Sequence, residues 1–212
     1  SKKKNERINA MGVHRYLRVP EEYPIMGDCG AFDYITEAVP PYSTEDVIDY
    51  YTRLGFDFGV SVDHLIVKAT EHQKDFRYDL TINNAEEFLK MHRKEKLPWE
   101  PIGAIQGWDP QSYAAAAEKY VKMGYRYLGL GGMVRSTTKD IQLHVFGIAR
   151  LNAVPKLIDV GINSMDSASY LRRAWLVAKD NYFTLDGNNF SSIRIPDSGR
   201  SFRAKRIVSE GR

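Results

Sequence analysis

Short apolar runs alternate with amphipathic stretches along most of the chain. Runs at 23–27, 56–62, 101–105, 125–130, 143–146 and 162–165 have the length and composition of strands. Between them, Val47, Ile48, Tyr51 and Leu54 fall on one face of a helix over 44–54, with Ser43 or Thr44 as its N-cap. Asn83 or Asn84 caps a second helix that runs to about Lys94, with Ala85, Phe88, Leu89 and His92 at helical spacing. Asp109 caps a third, which contains the alanines 114–117 and stops near Gly124; a last helix covers 167–178. Strands and helices alternating in this way predict parallel βα units.

The residues that end the apolar runs are more informative. Asp28 ends the first, Asp63 the second, Gln106 the third, Gly131 and Gly132 the fourth, Gly147 the fifth and Asp166 the sixth. In a parallel barrel these ends share one face, where active sites are built. A doubly wound sheet would also gather strand ends on one edge. However, Gly-Leu-Gly-Gly-Met at 129–133 lacks the dinucleotide-binding glycine spacing, and there is no phosphate loop of the Walker type. The expected fold is therefore α/β, a (β/α)8 TIM-barrel-like architecture, incomplete because six units are visible where a full barrel has eight. One connection fits poorly. Only 133–142 separates the fourth and fifth strands, at or below what a crossover helix requires, so the barrel is irregular there or lacks a segment.

Composition narrows the class. The chain has 212 residues, 43% hydrophobic and 27% charged, with a net charge of +3, which suits one globular domain. No apolar run has the roughly 20 residues of a membrane helix, and Ser-Lys-Lys-Lys-Asn-Glu does not open like a signal peptide. A soluble, cytoplasmic protein without a membrane partner is expected. A single cysteine, Cys29, leaves no internal disulfide and no multi-cysteine zinc site. Basic residues gather at the ends: Lys2, Lys3, Lys4 and Arg7, then Arg194, Arg200, Arg203, Lys205, Arg206 and Arg212. The expected organisation is a basic segment over 1–22, a barrel-like domain over 23–180 and a second basic segment over 181–212. Such ends read as solvated tails or as contacts for a polyanion.

Around one mouth, the strand-end residues suit a planar, hydrogen-bond-rich ligand. Asp63 can accept from adjacent purine N–H groups, while Gln106 and the amides near Gly131 and Gly132 can donate to a carbonyl oxygen. Asp28 and Asp166 could divide nucleophilic and acid/base work at an anomeric carbon. Each residue also has a plainer reading. A strand-end aspartate often caps the next helix, a glycine pair can serve a tight turn, and Gln106 could satisfy local backbone. His64 and His144 lack metal-ligand spacing and read as core or surface histidines. Cys29 reads as a packed residue, having no partner histidine.

Several segments resemble the tRNA-guanine transglycosylase superfamily. Asp28-Cys-Gly-Ala-Phe32 is similar to its Asp-Ser-Gly-(Gly/Ala)-Phe signature, and Ile105-Gln-Gly107 to its Val/Ile-Gln-Gly. Tyr125 to Met133 resembles its Gly-Tyr-x-Ile-Gly-Gly-Leu segment, His144-Val-Phe-Gly-Ile148 its His-Leu-x-Gly-Val strand, and Gly161 to Ser167 its nucleophile segment. The resemblance implies Asp166 as nucleophile and Asp28 as general acid/base, with Asp63, Gln106, Gly131 and Gly132 around the exchanged base. It implies no cofactor and no metal. The basic residues Arg172, Arg173, Arg203 and Arg206 are candidates for the nucleic-acid backbone, although a solvated helix face serves equally for the first two. The cysteines of the tRNA enzymes' zinc subdomain are absent, His-Leu-Ile follows Asp63, and Asp33 stands where the family often has Gln. These departures resemble the zinc-free branch that inserts 7-deazaguanines such as preQ0 into DNA. The same exchange on tRNA, a catalytically silent nucleic-acid-binding subunit and an unrelated barrel hydrolase or aldolase are the competing readings.

Overall fold

The computed structural model describes residues 2–131, 141–147, 153–176, 179–184, 186 and 188–191. They fall into two compact units: the first comprises the described residues up to Phe146 with Ala153–Ser164, and the second comprises Gly147 with the described residues from Met165 onward.

In the first unit, helices α1 (Lys2–Met11) and α2 (Val13–Leu17) precede strand β1 (Met26–Gly27). Helix α3 (Thr44–Leu54), strand β2 (Phe58–Val60), a 3-10 turn (Lys68–Gln73), α4 (Lys74–Glu95) and β3 (Glu100–Ile105) come next. Then come α5 (Pro110–Met123), β4 (Tyr127–Leu130), β5 (Gln142–Val145), α6 (Val154–Asp159) and β6 (Ser164–Met165), of which only Ser164 belongs to this unit. The sheet order is β1-β2-β3-β4-β5-β6, and the first five strands pair in parallel. This order decides between the two expected topologies. A doubly wound sheet reverses its strand order at a switch point, whereas strands that neighbour one another consecutively, the first five in parallel, have the order of a (β/α) barrel, here incomplete. The short fourth connection does not prevent parallel pairing: Tyr127 stands opposite Gln142 and Leu130 opposite Val145. Most of that connection, 132–140, falls outside the described residues.

Alternation along the strands separates two layers. Val60, Ile102, Ala104 and Tyr127 pack on one face with Met26, Phe58 and Phe146. On the other face, Val47, Ile48 and Tyr51 of α3 and Phe88 of α4 pack with Val62 and Trp99. Glycine on the helix-facing side makes room for tyrosine. A Cβ on Gly27 or Gly59 would lie 2.4 or 2.6 Å from the Tyr51 ring, and one on Gly103 would lie 2.4 Å from Tyr120. Each phenol then reaches a strand carbonyl, Tyr51 donating to Val60 at 3.1 Å and Tyr120 to Ala104 at 2.8 Å.

Helix ends follow the sequence closely where capping is local. The Ser43 hydroxyl accepts from the Asp46 amide and Gly55 closes α3 at φ 73°; Asp109 caps α5 and Gly124 ends it. Helix α4 differs. It begins at Lys74, so Asn83 and Asn84 are interior rather than capping, and the Asn84 amide donates to the Val62 carbonyl at 3.3 Å. Its buried face continues N-terminally through Thr81, Tyr78 and Arg77, and two polar residues on that stripe conceal the period. The start of the chain also differs from a solvated tail. It is helical, Val13 is buried, Arg53 of α3 donates to Asn9, and His14 pairs with Asp57 at 2.8 Å.

The second unit holds α7 (Ser169–Leu176) and an antiparallel pair, β7 (Tyr182–Phe183) with β8 (Asn189–Phe190). This hairpin lies within the basic segment expected over 181–212. Among the described residues, no helix is long and apolar enough to cross a membrane.

Candidate active site

The site is organised around Asp63, and a local irregularity in β2 puts it there. Strict alternation after Val60 would send Val62 to the face of Val60 and Asp63 toward the helices. Instead the Ser61 hydroxyl accepts from the Ala104 amide at 3.0 Å, and Val62 packs in the helix layer with Val47 and Phe88. The one-residue change of parity, the effect of a β-bulge, turns Asp63 to the side of Gln106.

Asp63 is buried, with 6% of its surface exposed. One carboxylate oxygen accepts from the Cys29 thiol at 2.8 Å and the other from Gln106 Nε2 at 2.6 Å. No cation among the described residues is one of its hydrogen-bond partners, and burial pushes its pKa from 3.8 up to about 6, with Asp28 adding repulsion and the hydrogen-bond donors only partly offsetting the rise. Each oxygen keeps a lone pair, and the Gln106 amide keeps one N–H. Acceptors beside a donor are what a guanine lactam edge requires.

The surrounding loops are tightly held. Tyr34 donates to the Asp63 carbonyl at 2.8 Å and its hydroxyl lies 3.4 Å from the Cys29 sulfur; Tyr42 donates to the Cys29 carbonyl. The thiol pKa is raised by burial and by Asp63 and Asp28, so Cys29 is a neutral donor and not a nucleophile. Arg77, 2% exposed, donates to His64 Nδ1 at 2.9 Å and to the carbonyls of Leu65, Ile35 and Glu37. Since Nδ1 must accept, His64 carries its proton on Nε2 and donates it to the Glu37 carbonyl at 3.1 Å. His144 is likewise a core residue, its Nδ1 2.8 Å from the Ser164 hydroxyl.

The Gly131 amide donates to the Ile105 carbonyl at 3.3 Å, so it is engaged in the sheet and is not a ready donor to a ligand. What matters at Gly131 is the missing side chain, because a Cβ there would lie 2.6 Å from Gln106 Nε2. Gly132, Arg203 and Arg206 lie outside the described residues. Asp28 lines a cavity of about 290 Å³ with Cys29, Tyr42, Asp46 and Tyr50. Asp166 belongs to the second unit, where its carboxylate accepts from the Gly147 amide at 2.7 Å. Arg172 is exposed, and the Arg173 guanidinium donates to the Asp180 carbonyl at 2.7 Å. Sequence reasoning missed Tyr34, Arg77 and the donor role of Cys29; the last was signalled by Cys29 standing where the resembling motif has serine.

A run of parallel strands in barrel order defines a barrel-type protein, with a buried carboxylate and amide standing together beyond the ends of β2 and β3. No family model matches the chain, but two curated proteins do. It is 32% identical over 225 residues to the DNA-guanine transglycosylase of Salmonella montevideo, covering 94% of this chain and 54% of that protein. It is 25% identical over 184 residues to the tRNA-guanine(15) transglycosylase of Aeropyrum pernix, covering 76% of this chain and 35% of that protein. The chain is thus similar to guanine transglycosylases of both the DNA-acting and the tRNA-acting kind. It spans about half the length of the first relative and about a third of the second.

Proposed function

We propose that the protein exchanges guanine in DNA for a 7-deazaguanine of the preQ0 type, acting in the cytoplasm. The observation that carries this reading is the buried Asp63–Gln106 pair, which offers acceptors and a donor side by side. DNA is preferred over tRNA because the DNA-acting relative is matched at higher identity and over more of both chains.

In the proposed reaction the target guanosine is extruded from its stack and its base edge bonds to Asp63 and Gln106. The Asp166 carboxylate attacks C1′ as the bond from C1′ to N9 breaks, and protonated Asp28 delivers its proton to the ring of the departing guanine, becoming a carboxylate. A covalent glycosyl-aspartate remains. Asp28 then takes the proton from the ring nitrogen of the incoming 7-deazaguanine, and that nitrogen displaces Asp166 at C1′. The two displacements preserve the anomeric configuration and need no cofactor. Arg172, with Arg203 and Arg206, supplies cations for the backbone phosphates.

Nucleoside mass spectrometry of DNA and tRNA incubated with the protein and preQ0 tests the proposal. The expected result is a 7-deazaguanine nucleoside in DNA alone, lost in Asp166→Asn. Product in tRNA alone would move the reading to the tRNA reaction. Salt-sensitive binding without product in either polymer would make the chain a silent binding subunit.

A further inference from the structure

Beside the Asp63–Gln106 pair lies a second cavity, of about 360 Å³, lined by Ile66, Lys68, Glu71, Gly107, Trp108 and Tyr113. It is formed by the same two loops that carry the pair. Ile66 comes three residues after Asp63 and its amide donates to Gln106 Oε1 at 3.4 Å, while Gly107 and Trp108 directly succeed Gln106. The cavity is thus immediately adjacent to the base site on the strand-end side of the sheet.

Its chemistry is distinctive. Trp108 is 37% exposed, an unusual placement for an indole in the first unit, where Trp99 is buried. The Lys74 ammonium sits 4.8 Å from the Trp108 ring centroid, and Tyr78 packs on Trp108 with centroids 5.4 Å apart. Lys119 in turn stands over Tyr78 at 5.1 Å. An exposed indole with ammonium groups around it, Lys68 in the cavity wall and a carboxylate at Glu71 combine a stacking surface, cations and an acceptor for exocyclic amino groups. Proteins that hold single-stranded nucleic acid use this combination of aromatic platform and flanking cations.

We propose that this cavity is a subsite for the nucleotide next to the exchanged guanosine. Its base packs against Trp108, and Lys68 and Lys74 neutralise the phosphates on either side. The inference rests on the proposed action on nucleic acid, and it assigns recognition of a flanking base to residues outside the guanine pocket.

Fluorescence anisotropy with short single-stranded DNA containing one guanine provides the test, with thermal melts run on every variant. Trp108→Ala is expected to raise Kd about tenfold, from base–aromatic stacking, while Trp108→Phe retains most of the affinity. Making one neighbour of the guanine abasic should weaken wild type by a similar factor and leave Trp108→Ala unaffected. Lys68→Ala and Lys74→Ala should each reduce the slope of log K against log salt by about 0.7. Equal Kd values for wild type and a folded Trp108→Ala, or equal penalties for the abasic strand in both, would overturn the subsite. Base exchange is measured separately: wild type that binds with the Trp108 dependence but exchanges no base refutes the proposed activity and leaves the subsite standing.

Discussion

Strand β2 carries an aspartate at each end, and the two have opposite environments. Asp57, just before the strand, is half exposed and accepts from the Ile25 amide at 2.7 Å and from His14 at 2.8 Å. Asp63, just beyond it, is buried and accepts from a thiol and an amide, with no cation bonded to it among the described residues. The first carboxylate holds the N-terminal helices to the start of the sheet and is satisfied in the folded state. The second is held in two hydrogen bonds yet keeps unused acceptor capacity and a raised pKa, a cost in stability that a ligand with N–H donors would offset. The same residue type at the two ends of one strand is thus a fastener at one and, in the proposed reaction, a recognition group at the other.

The largest expected effect is at Asp63. Asp63→Asn should lower kcat/KM for base exchange about a thousandfold, since two hydrogen bonds to a charged acceptor, worth about 2 kcal/mol each, are lost. Asp57→Ala should leave kcat/KM unchanged at temperatures where the variant is folded. Steady-state exchange of labelled guanine measures both, and comparable losses in the two variants would erase the distinction.

Stability should show the reverse preference. The Asp63 carboxyl is raised from 3.8 to about 6 on folding, so between those values the folded state holds the extra proton. Its contribution to stability therefore falls as pH rises through that window, by about 3 kcal/mol in all, and is flat above it. Urea unfolding at pH 4.5, 6 and 8 should show this decline in wild type and not in Asp63→Asn. At pH 8 the variant loses one hydrogen bond but no longer buries a charge, and it should be about 1 to 2 kcal/mol more stable than wild type. Base affinity should move the other way, tightening as pH rises through 6 and Asp63 ionises.

A smaller effect is expected at Gly131. The added methyl of Gly131→Ala would meet the mobile end of Gln106 at 2.6 Å, so the side chain swings away rather than the strand moving. Losing the bond from Gln106 to Asp63 at about 1 to 1.5 kcal/mol corresponds to roughly a tenfold drop in kcat/KM with little change in Tm. A wild-type rate would mean that Gln106 does not act from this position.

How much of this was legible in the sequence depends on the range of the forces involved. Strand positions, the α3 and α5 caps and the strand-end placement of Asp63 and Gln106 follow from local periodicity and capping, and the structure agrees with them. The first half of α4 did not declare itself, because its buried stripe contains Arg77 and Thr81, whose burial depends on the carbonyls of Ile35, Glu37 and Leu65 and on the amide of His64. The parity change at Ser61 rests on a side-chain bond to a strand 43 residues away. Cys29 as a donor to Asp63, 34 residues away, and Gly131 as space for Gln106 are likewise non-local. Periodicity identifies which residues reach the strand ends; tertiary contacts decide which of them donate, accept or make room.

The smallest effect should appear at Asp57, the opposite end of β2 from the base site. The hydrogen bond to Asp57 raises the His14 pKa above 6.5, so this pair contributes stability below that value and loses it as pH rises through the folded one. Because His14 is partly open to solvent and the pair is screened by salt, the contribution is modest. His14→Ala should lower Tm slightly at pH 6 and match wild type at pH 9. Asp57→Ala should lower Tm at both, since the Ile25 amide loses its acceptor whatever the charge on His14. Neither change should shift the pH at which base affinity rises, because that midpoint belongs to Asp63; a shift in either variant would show that the two ends of the strand are coupled.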